Sequence, residues 1–257
     1  MMSGDELYNF WLNSGLSTAA KLKAKYDDKG YRSNTEWYNI FQQFNNPQTQ
    51  NDISIQGGGE KVSYLISASQ FHQRGTAIGN YYDRYTFRTN IDAKPKTWLR
   101  TGVNINLSYD KRQRNSNWGN SDNTSNYTSG GLSYILNPLY PHIDPTTGAE
   151  YLKYPSKHIN PQYMIDNNPD VYSRYGLIGN TYVELEPIKN LKIRSRVGTD
   201  LYFIRDNWMT YPSYISSNGS GKRAKSTTYS YAHTLTNTIE YSFDINSETE
   251  KFELYYL

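Results

Sequence analysis

Apolar and polar residues alternate along the stretch from Leu99 to Tyr109. The first set is Leu99, Thr101, Val103, Ile105, Leu107 and Tyr109, and the second is Arg100, Gly102, Asn104, Asn106 and Ser108. A period of two predicts a β-strand with one apolar face. Soluble strands usually have about five or six residues, whereas tilted strands that cross a bilayer need about nine to eleven, as here. The small, neutral polar face is typical of a strand whose other side meets water, so the pattern predicts a wall strand of a transmembrane β-barrel.

A second long alternation supports the same interpretation. Leu191, Ile193, Ser195, Val197, Thr199, Leu201 and Phe203 alternate with Lys192, Arg194, Arg196, Gly198, Asp200 and Tyr202. Shorter alternations lie at 51–55, 62–68, 85–91, 177–185, 229–243 and 252–256. The chain is therefore predicted to be all-β, with about eight antiparallel strands in a transmembrane β-barrel segment that occupies residues 47–257.

The predicted connections between strands alternate in length. Short turns are expected at Gly57, Pro95, Pro187 and Ile245, and longer connections begin at Gln73, Gln113 and Asp206. The longest covers about residues 111–175 and is dense in Asn, Ser, Pro, Gly and Tyr. Bacterial outer-membrane barrels have short periplasmic turns and longer extracellular loops, so the sorting favours a barrel over a soluble sandwich, and the 111–175 loop is expected to be extracellular.

The first 46 residues have a different pattern. Apolar residues recur at roughly helical spacing from Asp5 to Lys25, with Ser17 and Thr18 as a possible second helix start. A short helical turn is predicted over 35–41, with Thr35 as its cap. We predict that residues 1–46 form a short helical region that leads into the barrel and packs against whatever precedes it.

Composition narrows the classes of protein. Hydrophobic residues make up 36% and the mean hydropathy is −0.82, yet aromatics reach 15% with 26 Tyr. Disordered chains are poor in aromatics, whereas half-polar strands with aromatic girdles have this composition. The net charge of +3 is too small to indicate a nucleic-acid partner. There is no cysteine, which leaves the compartment open.

Catalytic motifs are scarce, and we expect neither an enzyme nor a cofactor or metal. His72, His142, His158 and His233 are scattered without metal-ligand spacing. Asp144 and Glu150 lie in a Pro/Gly turn and are expected to be solvated loop charges rather than a glycosidase pair. The Gly57–Gly59 run precedes a strand rather than a helix, which argues against a phosphate-binding loop. The basic run at 222–225 is interpreted as a solvated loop, although acidic lipopolysaccharide is a possible partner.

The long loop is the candidate binding region. Its aromatic residues Trp118, Tyr127, Tyr134 and Tyr140 lie among many Asn side chains, and rings with amides are able to contact sugars or peptides. We hypothesise that they contact substrate or a surface partner. The alternative is that these rings pack the loop against itself.

Charged residues on the polar faces of the strands form a second candidate set. These are Arg88, Asp92, Arg194, Arg196 and Asp200. Alternation predicts that they point into the lumen, where their expected role is structural pairing, for example with a plug.

The segment from Thr35 to Tyr109 resembles the SusC/RagA family of TonB-linked outer-membrane transporters. The resemblance is carried by Thr35-Glu36-Trp37, the run 51–61 (NDISIQGGGEK), Tyr64, Ala68-Ser69, Gln73-Arg74-Gly75, Arg84-Tyr85, Asn90-Ile91-Asp92 and Trp98-Leu99. Beyond Tyr109 the similarity lies only in the pattern of strands. In that family this stretch looks like the first barrel strands after the plug, within a larger barrel of 22 strands.

The resemblance implies a function and a location. It implies import of nutrient oligomers, glycan or peptide, through a plugged barrel in the outer membrane of a Gram-negative bacterium. The implied partners are outer-membrane lipid, a SusD-like surface lipoprotein, and TonB, which would act through a plug expected to precede Met1. The chain is accordingly expected to be a fragment with its export signal elsewhere.

Two interpretations from other classes remain open at this point. One is a soluble, secreted β-sandwich that binds carbohydrate, which requires two sheets with a dry core between them. The other is a catalytic β-protein such as a glycosidase, for which no acid/base motif is evident.

Overall fold

Eight antiparallel strands form one sheet in which every strand pairs with its neighbours in the sequence. The computed structural model describes residues 1–113, 136–151, 169–210, 221–244 and 251–256. The strands are β1 (Gln48–Gly58), β2 (Val62–Arg74), β3 (Tyr81–Lys96), β4 (Leu99–Gln113), β5 (Asp170–Ile188), β6 (Leu191–Thr210), β7 (Lys222–Asp244) and β8 (Lys251–Tyr256). The predicted all-β antiparallel segment of about eight strands is confirmed. In the described part of the chain the sheet is open, with β1 and β8 at its edges.

The strands are longer than the sequence pattern suggested. β5 has 19 residues, β6 has 20 and β7 has 23, although alternation alone predicted a weak strand over 177–185 and a shorter one over 229–243. The extensions towards the long-loop end carry polar residues on the apolar face, such as Lys225, which interrupt the alternation. Pairing with the neighbouring strands along their whole length stabilises these extensions instead.

The connections are sorted by length at the two ends of the sheet. Residues 59–61, 97–98 and 189–190 connect strands at one end, which we call the short-turn end. Residues 75–80, 114–169 and 211–221 connect them at the other, the long-loop end. Asn190 adopts a positive φ of 68°, which its short side chain tolerates in the tight β5–β6 turn. The predicted sorting is thereby confirmed.

The N-terminal region contains α1 (Gly4–Asn13), α2 (Ala19–Lys25), a 3₁₀ turn (Asp27–Lys29) and α3 (Trp37–Phe41). Ser3 caps α1 in a capping box with Glu6, and Thr18 caps α2, as its position predicted. The prediction that Thr35 caps the third helix is wrong. Glu36 is the N-cap residue, and the Thr35 hydroxyl instead donates to the carbonyl of Tyr140 at 2.7 Å. No helix among the described residues is long and apolar enough to cross a membrane.

These helices share a small aromatic core with residues 136–140, and we call this unit the helical module. Its buried members are Tyr8, Leu22, Tyr26, Trp37, Phe41, Leu136, Leu139 and Tyr140. The module lies at the long-loop end, because Gln43 donates its backbone N–H to Thr76 and Ile78 donates to Phe41 within the β2–β3 connection. Residues 1–46 therefore enter β1 from the long-loop end of the sheet.

An ionic cluster holds the surface of the helical module together. The Asp5 carboxylate accepts hydrogen bonds from Asn34 at 2.7 Å and from Arg32 at 3.2 Å, and these bonds lower the pKa of Asp5 below its usual value. Arg32 also lies over the Tyr8 ring at 4.3 Å. The cluster connects α1 to the segment before α3.

Candidate functional site

The sheet has an apolar face and a polar face, defined by the side chains on β4. The apolar face carries Leu107 and its cross-strand neighbours, and the polar face carries Asn106 and its neighbours. On the apolar face, the rows of paired residues from the Tyr109 row down to the Thr101 row contain no Lys, Arg, Asp or Glu in the described strands. In the Leu99 row, which borders the short turns, Lys96 lies beside Leu99. Such a band is suited to a surrounding of hydrocarbon.

Nothing in the described part of the chain covers the apolar face with a second layer. Ile193 and Val197 are 38% and 44% exposed, and Val103 and Ile105 are only half-buried between their neighbours. A sandwich would have sealed these side chains in a dry core. All the described strands belong to one sheet, so the soluble sandwich alternative is not supported.

One row of aromatic rings borders the apolar band towards the long-loop end. We call it the girdle row, and its members are Tyr85, Tyr109, Tyr175, Phe203 and Tyr229, which the register places side by side on β3 to β7. Successive ring centroids from Tyr85 to Phe203 are 6.2, 4.8 and 6.1 Å apart. Tyr241 and Phe243 stack near the short-turn end of β7. Aromatic residues at both edges of an apolar band are typical of a transmembrane β-barrel.

The height of the band agrees with the thickness of a bilayer core. The strand from Leu99 to Tyr109 extends about 34 Å at roughly 3.4 Å per residue. A tilt of about 40° reduces this to about 26 Å, close to the apolar band of about 25 Å found in outer-membrane barrels. The band is therefore tall enough to cross the hydrocarbon layer.

The polar face carries all five charged residues predicted from alternation. Arg88, Asp92, Arg194, Arg196 and Asp200 lie on it, at the same depths as the apolar band on the reverse side. Arg88 and Arg196 are exposed, whereas Asp200 has a buried Oδ1 without a hydrogen-bond partner among the described residues. The register brings these residues onto one surface but does not gather them into one cluster.

A tight ionic network lies at the short-turn end of the polar face. Glu184 is buried, and the Arg194 guanidinium donates to it through Nε at 2.7 Å and through a second nitrogen. Arg100 approaches the other carboxylate oxygen at 3.9 Å. Sequence reasoning missed Glu184 and Arg100 as site residues, because only the strand register places Glu184 between Arg100 and Arg194.

Beside this network, Tyr182 bridges two strands. Its hydroxyl donates to Asp92 Oδ1 at 2.5 Å, and the Arg194 guanidinium lies 5.1 Å from its ring centroid. The ring crosses directly above Gly102, where a side chain would collide with it. Gly102 is therefore required by the close approach of Tyr182.

Replacing Gly102 by alanine is expected to destabilise the barrel by about 1–2 kcal/mol, since overpacking forces side chains from their positions. The added Cβ would overlap the Tyr182 ring and lie 2.7 Å from Asp92 Oδ1. Gly198→Ala is the matched control, because its Cβ would meet Thr234 at an ordinary 3.7 Å. Urea unfolding of the full-length protein in lipid vesicles measures both, and equal losses would contradict the steric argument.

Glu184→Gln is expected to cost about 1–3 kcal/mol, because charge-assisted hydrogen bonds to Arg194 are lost while the side-chain volume is kept. The control is Glu240→Gln, which removes a partly exposed pair with Lys192 at 3.4 Å and should cost less than about 1 kcal/mol. The same unfolding measurement applies. A larger loss for Glu240→Gln than for Glu184→Gln would show that burial does not strengthen the Glu184 pair.

Aromatic rings and arginines line the long-loop end of the polar face. Tyr82 donates to Asp110 at 2.6 Å, and Arg112 lies 4.2 Å from the Tyr172 ring centroid. Arg174 lies 3.8 Å from the Tyr202 ring centroid. This surface presents rings and guanidinium groups together, a combination suited to contacts with peptide or sugar groups.

The predicted loop aromatics are placed only in part. Trp118, Tyr127 and Tyr134 lie outside the described residues. Tyr140 is 3% exposed and packs on Tyr26 and Tyr31 in the helical module, with centroids 5.9 and 5.8 Å away. Tyr140 thus packs against the N-terminal region, whereas the packing alternative placed it against its own loop.

The histidines and the Asp144 turn show structural contacts. His72 pairs with Asp83, His142 lies edge-on to Trp37, and His233 contacts Thr199. Asp144 accepts the backbone N–H of Thr146 at 2.7 Å, which lowers the pKa of its carboxyl. Within the described residues, no group of three or more His, Asp or Glu is arranged to hold a metal. His158 lies outside them.

Comparison with solved structures identifies the fold. A structure of the RagAB peptide transporter matches with a TM-score of 0.78 and 23% identity, covering 96% of this chain and 30% of the matched chain. The RagAB peptide importer in a closed-closed state matches with a TM-score of 0.73 and 24% identity over the same shares. The chain has the fold of a SusC/RagA-type barrel wall.

A sequence relative agrees with this identification. A TonB-dependent receptor of Formosa agariphila is 25% identical over 197 residues, which is 76% of this chain and 19% of the receptor. No protein-family model matches the chain. The resemblance to SusC/RagA-type TonB-dependent transporters is confirmed, and the chain spans about a fifth of the receptor and under a third of the RagAB chains.

Proposed function

We propose that this chain forms part of the wall of an outer-membrane importer of nutrient oligomers. The observation that carries the proposal is the contrast between the two faces at equal depth. The apolar band of the described strands has no charged residue except Lys96 at its short-turn border, while Arg88, Asp92, Arg196 and Asp200 lie directly behind it. A wall between lipid and a wet lumen needs this contrast, and an enzyme or a soluble binding module does not.

The comparisons support the finer points of the proposal. RagAB is described as a peptide transporter and the Formosa protein as a TonB-dependent receptor. By this likeness we propose uptake of peptide or glycan oligomers in a Gram-negative outer membrane, with TonB acting through a plug and a SusD-like lipoprotein at the surface. The polar-face charges then face the lumen and the plug, and Trp118, Tyr127 and Tyr134 are candidate substrate or partner contacts.

We also propose an orientation for the sheet. Short turns are periplasmic and long loops extracellular in bacterial barrels, so the long-loop end faces the medium. The helical module lies at that end and would therefore be an extracellular element. This differs from the expected lead-in next to a plug, because β1 starts at the long-loop end and runs towards the short turns.

Cysteine labelling tests the orientation. Ala149 lies exposed at the long-loop end and Lys189 lies in the β5–β6 turn at the opposite end, and the chain has no cysteine of its own. In intact cells, a bulky membrane-impermeant maleimide is expected to label Ala149→Cys and to label Lys189→Cys only after lysis. Labelling of Lys189→Cys alone in intact cells would reverse the orientation.

Uptake measurements test the function. Cells that lack the full-length protein should lose uptake of labelled oligopeptides or oligosaccharides, and an uncoupler should abolish uptake in complemented cells. Replacing Trp118, Tyr127 and Tyr134 together by alanine should reduce uptake if these rings contact substrate. Unchanged uptake of both oligomer classes in the deletion strain would overturn the proposal.

A further inference from the structure

The apolar face above the girdle row is strongly basic. Continuing towards the long-loop end, the residues on this face include five basic side chains on β2, β4, β6 and β7, namely Arg74, Lys111, Arg205, Arg223 and Lys225. The only carboxylate in these rows of the described strands is Asp83, and it pairs with His72. We call this surface the basic rim.

Aromatic rings lie beside two cations of the basic rim, and Asp83 is the cross-strand neighbour of Lys111. The Arg205 guanidinium lies 5.1 Å from the centroid of the Phe203 ring in the girdle row, and Lys111 Nζ lies 5.7 Å from that of Tyr81. Lys111, Arg205 and Lys225 form no ion pair with a carboxylate of any described residue. Their positive charges are therefore available to an anionic ligand.

The register sets the spacing of these charges. Lys111 on β4 pairs with Ser173 on β5, which pairs with Arg205 on β6. Two strand spacings separate Lys111 from Arg205, or about 10 Å. Lys225 lies beside Asn207, one row above Arg205 on the neighbouring strand. At this spacing, one phosphorylated headgroup is able to contact both cations.

Directly below the basic rim, the apolar face contains a groove of about 580 Å³. Rings of the girdle row and three leucines of the next row line it, and the leucines are Leu107, Leu177 and Leu201. Gly179, two residues below Leu177 on the same face, leaves room where other strands carry a side chain. An acyl chain in this groove would carry its headgroup to the level of Lys111 and Arg205.

The same face carries fewer charges at the short-turn end. There the register places one basic residue, Lys96, on this face of the described strands. The residues in and next to the turns at that end include Glu60 and Glu186 as well as Lys61, Lys94 and Lys189. The group of five basic side chains on one face is therefore a feature of the end that the proposed orientation assigns to the outer leaflet.

We propose that the basic rim and the groove beneath it bind lipid A, the phosphorylated glycolipid anchor of lipopolysaccharide. Lys111, Arg205 and Lys225 contact its phosphates, and the girdle row and leucines contact its acyl chains. Lys and Arg form charge-assisted hydrogen bonds with phosphate, and basic residues beside an apolar surface are attracted to anionic lipids. The inference rests on the proposed function, since it needs the apolar face to meet lipid.

The test compares two triple variants of the full-length protein that lose equal charge. One is Lys111→Gln with Arg205→Gln and Lys225→Gln, and the other is Lys94→Gln with Lys96→Gln and Lys189→Gln at the short-turn end. The detergent-solubilised proteins are titrated with lipid A, with lipid A stripped of phosphate, and with inorganic pyrophosphate. Native mass spectrometry gives the bound fraction of each.

The expected result is a loss of lipid A affinity of about a hundredfold in the first variant and little change in the second. Lipid A without phosphate should bind the unmodified protein as weakly as lipid A binds the first variant. Equal binding by the first variant and the unmodified protein overturns the proposal, and so does an equal loss in both variants. Pyrophosphate bound as tightly as lipid A overturns the assignment to a lipid.

Two further measurements separate this inference from folding and from the proposed function. Heat-modifiable migration on gels shows whether each variant is a folded barrel. The charge-conserving variant Lys111→Arg with Arg205→Lys and Lys225→Arg should keep lipid A binding, and its loss in a folded protein contradicts the role of charge. If oligomer uptake is intact while the unmodified protein shows no preference for phosphorylated lipid A, the importer proposal stands and this inference fails.

Discussion

Replacing Ile91 by lysine is expected to destabilise the membrane-inserted protein by about 2–4 kcal/mol, the cost of a lysine near the bilayer midplane on the lipid face of a barrel. Ile91 is 39% exposed on the apolar face, between Tyr64 and Val103 in the middle rows of the band. A charge there would have no carboxylate partner in the rows of the apolar band in the described strands. Urea unfolding in vesicles gives the difference.

The adjacent residue provides the control. Asn90 lies at the same depth on the polar face, between Leu65 and Asn104. Asn90→Lys is expected to change stability by less than about 1 kcal/mol, because a lumen-facing charge stays hydrated. If both lysines cost the same, the assignment of one face to lipid is wrong.

Replacing Trp37 by alanine is expected to lower the local stability of the helical module by about 3–5 kcal/mol, the usual cost of removing a large buried ring. Trp37 is 2% exposed, stacks on Phe41, and donates its indole N–H to the Asn137 carbonyl at 3.0 Å. Its loss should release residues 136–140 together with α3. Hydrogen exchange in peptides from 1–46 and 136–151 measures the local opening free energy.

Trp98→Ala removes the same side chain from an exposed site. Trp98 is 50% exposed in the β3–β4 turn at the short-turn end. This variant should leave exchange in the helical module unchanged. Faster exchange confined to 1–46 in Trp37→Ala, with 136–151 still protected, would contradict this prediction, because residues 136–151 would then be stabilised independently of Trp37.

The long-loop end contains an ordered element formed by the helical module, and this matters for any partner that binds there. Thr35 and Trp37 hydrogen-bond to Pro138 and Asn137, which lie a hundred or more positions along the chain. Part of the long β4–β5 connection is thereby fixed against the N-terminal helices. A surface partner at this end would meet an ordered element rather than a free loop.

The sequence by itself determined the strands, the two faces and the sorting of the connections. Alternation from Leu99 to Tyr109 and from Leu191 to Phe203 is a local property, since side-chain direction in a strand depends only on position parity. The same parity placed Arg88, Asp92, Arg194, Arg196 and Asp200 on the polar face before any partner was known. The capping role of Thr18 was equally local.

Only the tertiary structure decided which residues meet across strands. The Glu184–Arg194 pair, the girdle row and the spacing of Lys111 and Arg205 depend on register, which turn geometry and cross-strand packing set together. The burial of Tyr140 and the failure of Thr35 to cap α3 depend on contacts between segments about a hundred residues apart. Local pattern contains no information on such distant partners, because their meeting is fixed by the folding of the whole chain.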